Sequence, residues 1–186
     1  MSEFEIFTVV LSFILGLGIA QILSSVVLLI HARREIELSL TPFLWAAVLF
    51  LLHINFLFAA LWFYSGDRAF VWYLLDLVSA TLLFIGGGLV LPSESRVLPD
   101  SLDEFFDRDG RLALIPLAVF LLASLPYNVQ AGGSWLRLDN LIISTVCVLC
   151  VSAFLARGRT RVAASVASAL IVTYAFLFVF ARPGAV

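Results

Sequence analysis

The sequence predicts an all-α fold: a polytopic membrane helix bundle with six transmembrane helices and a short cytoplasmic amphipathic helix, forming a single transmembrane domain over residues 1–186. Three observations predict it. Apolar residues make up 62% of the chain and charged residues only 13%, against about half and about a quarter in soluble domains. A soluble fold of this length has too small an interior for such an excess, and disordered chains are poor in apolar residues. The apolar residues fall in six runs near the ~20 residues that a ~30 Å hydrocarbon core requires. The charges collect between those runs.

The first run, residues 4–30, carries no charge after Glu5. It lacks the basic flank and small-residue cleavage site of a signal peptide and is expected to be retained. The second, 38–64, is interrupted by His53 and Asn55, and the third, 71–91, carries Asp76. The fourth, 112–127, is short and contains Pro116 and Pro126. The fifth, 138–155, starts with Asp139 and Asn140, and the sixth is 162–181.

Basic residues in the loops predict orientation. Arg33, Arg34, Arg96, Arg108, Arg111, Arg157, Arg159 and Arg161 fall on one side, and Arg68, Arg137 and Arg182 on the other. The richer side is expected to be cytoplasmic, which puts both termini outside the cytoplasm of a bacterial inner membrane. Trp62, Tyr64, Trp72, Tyr73, Tyr127 and Trp135 then gather at the outer ends, where amphipathic rings prefer to sit. The cytoplasmic loop 92–111 holds Ser101-Leu-Asp-Glu104, a capping-box spacing. Leu102, Phe105 and Phe106 follow on one helical face, and Gly110 ends the helix. This predicts a short helix on the membrane surface or against the bundle. The acidic residues between Asp100 and Asp109 leave open a docking site for a protein partner or a divalent cation, although they lack the order of an EF-hand loop.

All 11 basic residues are Arg. Without Lys there is no Schiff-base chemistry with retinal or pyridoxal and no P-loop. Scattered Arg and a net charge of −2 exclude nucleic acid as a main partner, since that requires a clustered basic face. Cys147 and Cys150 have the C-x-x-C spacing of redox and zinc sites, but both sit in an apolar run without neighbouring His or acid. Packing inside a helix is the simpler reading. No catalytic residue, metal site or cofactor is expected.

An Asp at a helix centre costs about 2.5–3.5 kcal/mol on insertion scales, so intramembrane polar groups face the bundle interior and find partners. The interior set is Gln21, His53, Asn55 and Asp76. At 1.5 Å per residue, Asp76 lies about 7–8 Å from the outer boundary, Asn55 about 13–14 Å and His53 about 16 Å. Asp76 and Asn55 are expected to approach across the hairpin of the second and third runs. Three readings stay open: a cation or proton path, with His53 as a shuttle; an interhelical hydrogen-bond clamp; and a heme ligand role for His53, whose only possible histidine partner is His31. Gly16 and Gly18 with Ala20, the triplet Gly86-Gly87-Gly88, and Ala164 with Ser168 mark close helix packing. The triplet also admits a hinge lining a cavity.

Glu3-Phe-Glu5 with Leu11-Ser-Phe-Ile-Leu-Gly-Leu-Gly18, the segment Leu44–His53, Leu91-Pro92 and Asp103-Glu-Phe-Phe106 together resemble an uncharacterised family of short bacterial multi-pass membrane proteins. The resemblance covers about the first two-thirds of the chain. It implies about six spans and lends no activity. The favoured function is a small oligomeric channel or transporter for a cation or proton, embedded in lipid as a homo-oligomer. The alternative is a non-catalytic scaffold or sensor that binds a cytoplasmic protein through loop 92–111.

Overall fold

The computed structural model describes residues 3–63, 70–93, 99–130 and 136–180. Among them are seven α-helices: α1 Glu3–His31, α2 Leu40–Phe63, α3 Phe70–Leu89, α4 Leu102–Arg108, α5 Leu114–Gln130, α6 Leu138–Leu155 and α7 Arg159–Phe180. A 3₁₀ turn, Gly110–Ala113, joins α4 to α5. Five of these helices are long and apolar enough to cross a bilayer. The segments Leu102–Arg108 and Gly110–Pro126, bent by 56° to each other, pass the same test only as a pair.

The ends of the helices follow local chemistry. The second starts at Leu40 rather than Leu38, because Ser39 precedes it and its Oγ accepts a 3.4 Å hydrogen bond from the Thr41 N–H, an N-cap arrangement. The third stops at Leu89, ahead of Leu91-Pro92, where proline disfavours helix in the residue before it. Pro116 stands in the first turn of α5, where its missing N–H costs little. Pro126 lies inside the helix. The last helix begins at Arg159, after Gly158 turns the chain at a φ of 61°, a left-handed conformation that glycine adopts without strain.

The helices pack as a ring in the order α1, α3, α5, α6, α7, α2, with α2 and α3 also meeting across it. On α1 the buried residues are Leu11, Leu15, Gly18, Ile22, Ser25 and Leu29, alternately four and three apart, the seam spacing of a coiled coil. Val9, Phe13, Leu23 and Val27 point outward and are exposed, as a lipid-facing surface requires. Several hydroxyls on the spans are satisfied locally: Thr81, Thr145 and Ser152 each donate to the carbonyl four residues back, so these three leave no open donor in hydrocarbon.

One end of the bundle is stitched by polar contacts. Glu37 and Ser101 form an isolated parallel bridge, with Glu37 N donating to Asp100 O and Leu102 N to Glu37 O, both at 3.0 Å. Ser101 stands at the N-cap of α4 without a side-chain capping bond. The predicted side-chain capping bond is therefore not made; the N–H of Leu102, at the start of the helix, is satisfied by the Glu37 carbonyl. Leu102 and Phe106 are buried in the core, so α4 lies against the bundle. Ser39 Oγ donates to Asp103. Arg161, only 6% exposed, pairs with Asp107 and donates from Nε and Nη2 to the Ala156 carbonyl at 3.0 and 2.7 Å. It also lies over the Phe106 ring, 5.8 Å from its centroid. This single cation closes the end of α6, starts α7 and holds α4.

Cys147 and Cys150 do not pair with each other. Both are free and buried, and their thiols point at α5, at Ala118 O (4.0 Å) and Leu114 O (3.3 Å). Neither thiol of the folded, detergent-solubilised protein is expected to react with a water-soluble maleimide, and both are expected to label after unfolding. Rapid labelling of either in the folded state would contradict this packing.

Candidate functional site

The intramembrane polar residues separate into two sets. Asp76, 3% exposed, and Asn55 line a common cavity of about 340 Å³ between α2, α3, α5 and α6. It occupies the half of the bundle away from α4. Ser79, Ser124 and Asn128 border it as well, between walls that include Phe56, Trp72 and Phe120. A second cavity of about 300 Å³ continues toward α6 and α7, sharing Asn55 and Asn128 and reaching Asp139. Asp139 is paired with Arg137 at 3.3 Å. Among the described residues, those lining the first cavity include no basic side chain.

Helix geometry explains the grouping. Asp76 and Ser79 are three residues apart, and Ser124 and Asn128 four, so each pair shares a face. The Ser124 hydroxyl donates to Phe120 O at 2.9 Å, which leaves its oxygen as an acceptor. Phe56 and Phe120 meet edge to face, with centroids 5.6 Å apart and planes at 89°.

His53 belongs to the other set. It lies two residues before Asn55 and therefore on nearly the opposite side of α2. It is 0% exposed and does not line either cavity. The ring Nδ1–H donates to Leu49 O at 2.7 Å, a tautomer inferred from that contact. Nε2 has no hydrogen-bond partner and faces Gly18 of α1, where an added Cβ would overlap it and come within 2.9 Å of Cδ2. Gln21, one turn further along α1, is partly buried against Gly88, where a Cβ would lie 2.7 Å from Nε2.

The glycine triplet serves close approach in three directions. A Cβ on Gly86 would meet Leu49 at 3.1 Å, one on Gly87 would meet Ile22 at 3.2 Å, and Gly88 receives Gln21. The triplet lies within continuous α3 and does not border the two cavities. Gly16 faces open space, with nothing within 4 Å of an added Cβ, so it does not share the packing role of Gly18. Among the described residues, no group of three or more His, Cys, Asp or Glu side chains is placed to hold a metal ion.

The structure thus brings Asp76 and Asn55 together and leaves His53 and Gln21 at the α1 contact. Sequence reasoning missed Ser79, Ser124 and Asn128. Their signal was helical spacing: small polar residues three or four apart within apolar runs. Of the predicted aromatic belt, Trp72 and Tyr73 lie at the start of α3, and Tyr73 packs on Phe7 of α1 at 4.8 Å. Tyr64 and Trp135, with Arg68, Arg96 and Arg182, lie outside the described residues, as do the side chains of Trp62 and Tyr127. The chain matches no family model, no characterised protein and no solved structure.

Proposed function

We propose that this integral membrane protein is a small cation channel or transporter whose binding site is the cavity lined by Asp76. The observation that carries this reading is a buried acidic side chain bordering a cavity together with Asn55, Ser79, Ser124 and Asn128. A carboxylate at membrane depth is costly unless it meets a positive or hydrogen-bonding partner. The cavity groups this carboxylate with the neutral oxygen acceptors of Asn55, Ser79, Ser124 and Asn128. The scaffold reading loses ground because three of the five acidic residues from Asp100 to Asp109 are engaged within the chain: Asp103 with Ser39, Asp107 with Arg161 and Asp109 with Arg108.

In this reading the chain crosses a bacterial inner membrane six times, with the bent α4–α5 pair supplying the sixth crossing. Arg33, Arg34, Arg108, Arg111, Arg157, Arg159 and Arg161 mark the cytoplasmic end, and both termini lie outside. A Cys placed at Ser2 is then expected to react with an impermeant reagent in intact cells, and one at Arg159 only after permeabilisation. The reverse pattern would invert the protein.

Transport is tested with purified protein in liposomes. Cation flux under an imposed gradient and voltage is expected for the wild type, falling at least roughly tenfold in Asp76→Asn, which removes the charge and keeps the shape. Absence of flux in the wild type under every gradient overturns the transport reading. Flux unchanged in the variant removes Asp76 from the path.

A further inference from the structure

We infer that Arg111 and the adjoining seam between α5 and α6 hold an anionic phospholipid, its phosphate on the guanidinium and its acyl chains along the two helices. The site lies at the α4 end of the bundle, away from the Asp76 cavity, and does not depend on the transport reading. Two observations carry it. The first is a cation without an acid. Arg108, Arg137 and Arg161 are paired with Asp109, Asp139 and Asp107, whereas Arg111 makes no ion pair among the described residues. Its Nε is buried without a hydrogen-bond partner, and its Cζ lies 5.7 Å from the centroid of the Phe154 ring on α6. A ring face attracts the charge by about 0.5–2 kcal/mol. It does not stand in for the acceptors that the N–H groups give up on leaving water.

Arg111 is only partly buried, so its side chain still meets the surroundings. The planar fork of a guanidinium matches a phosphate with two parallel N–H···O bonds. Packing on Phe154 fixes that fork beforehand, which lowers the entropy lost on binding. Arg157, exposed and just past the end of α6, adds positive charge to the same end of the helix. Basic pockets between spans at a membrane face take anionic headgroups on these terms.

The second observation assigns the phosphate to a lipid. Leu112, Ile115, Val119 and Leu122 are exposed at spacings of three and four, which makes one continuous helical stripe. Val151 and Leu155 are exposed on α6, the neighbour of α5 in the ring. The contact of Arg111 with Phe154 joins the two helices beside Leu112 and Leu155, where both stripes begin. The step from Leu112 to Leu122 spans about 15 Å at 1.5 Å per residue, which is half of a ~30 Å hydrocarbon core and so the depth of one leaflet. A phospholipid of that leaflet meets the cation with its phosphate and the stripes with its chains. A free phosphate would use the cation alone.

The test titrates dioleoylphosphatidylglycerol and dioleoylphosphatidylcholine, which share their chains and differ in net headgroup charge, into the full-length protein in a neutral detergent, with bound lipid counted by native mass spectrometry. The anionic lipid is expected to bind saturably and at least roughly tenfold more tightly than the zwitterionic one. Arg111→Gln is expected to weaken it roughly tenfold and Phe154→Leu roughly threefold. Arg33→Gln, which removes an exposed cation from the same end of the bundle, is expected to change it by less than about twofold. Thermal unfolding without added lipid identifies a variant that fails to fold, and if Arg111→Gln is one, Arg111→Lys takes its place, keeping the charge without the fork. Equal affinity for the two lipids overturns the inference, and so does an equal loss in Arg33→Gln and Arg111→Gln, which would mark a diffuse surface charge. Displacement of the lipid by inorganic phosphate at comparable concentration overturns the assignment to a phospholipid.

Discussion

Replacing Trp45 with alanine is expected to cost about 3–5 kcal/mol, the range for removing a large aromatic from a packed core, and to leave little folded protein in detergent. Trp45 is 0% exposed and ties α2 to α7, its indole N–H donating to Ser165 Oγ at 2.8 Å. Trp45→Phe separates volume from hydrogen bond. In Trp45→Phe the Ser165 hydroxyl still donates to Arg161 O at 2.8 Å, so no donor is stranded. Hydrogen bonds between membrane helices average about 0.6 kcal/mol. Trp45→Phe should therefore fall within about 1.5 kcal/mol of wild type, allowing for its smaller ring. Thermal unfolding of the three proteins in one detergent decides the matter. If phenylalanine is as damaging as alanine, the hydrogen bond and not the volume holds α2 to α7.

Gly18→Ala is expected to destabilise by about 1–3 kcal/mol through overpacking, and Gly16→Ala to stabilise by about 0.5–1 kcal/mol through helix preference. The two positions lie on one helix, two residues apart, and differ in what an added Cβ meets: the His53 ring at Gly18, open space at Gly16. The ring cannot easily yield, because its Nδ1–H is held by Leu49 O and no surface of it reaches the outside. His53→Ala combined with Gly18→Ala should therefore recover part of the loss, giving a coupling of about 0.5–3 kcal/mol in a double-mutant cycle. Equal melting temperatures for Gly18→Ala and Gly16→Ala would show that the α1–α2 contact is looser than described.

The helices were legible because a run near bilayer length leaves few alternatives for the backbone, which must satisfy its own hydrogen bonds in lipid. The helix at Leu138–Leu155 has the bounds expected from its apolar run. The helix at Leu102–Arg108 was legible from Leu102, Phe105 and Phe106, since in a water-facing loop apolar spacing still marks a buried face. Inside the spans that signal fails. Phe13 faces lipid at 66% exposure while Leu11 and Leu15 are core, and hydropathy treats them alike. Small residues carry the information instead, as Gly18 and Ser25 do on the α1 seam.

The candidate site was half legible for a related reason. Depth along the membrane depends on rise, 1.5 Å per residue, and by that measure His53 and Asn55 are neighbours. Direction depends on rotation, and two residues carry the side chain to nearly the far side of the helix. Rise alone grouped His53 with Asn55; rotation assigns it to Gly18. Contacts between helices distant in sequence, such as Trp45 with Ser165 or Cys150 with the Leu114 carbonyl, leave no mark in an apolar run, because several faces of each span would serve equally well.

The pairing of Trp45 with Ser165 also sets a clock on biogenesis. The two residues are 120 positions apart, so at synthesis rates of roughly 5–20 residues per second the indole emerges about 6–24 seconds before its partner. Throughout that interval α2 stands in the membrane with its α7-facing groove occupied by lipid or by the insertion machinery. Completing the ring is then an exchange, in which the arriving α7 displaces whatever has been guarding the groove.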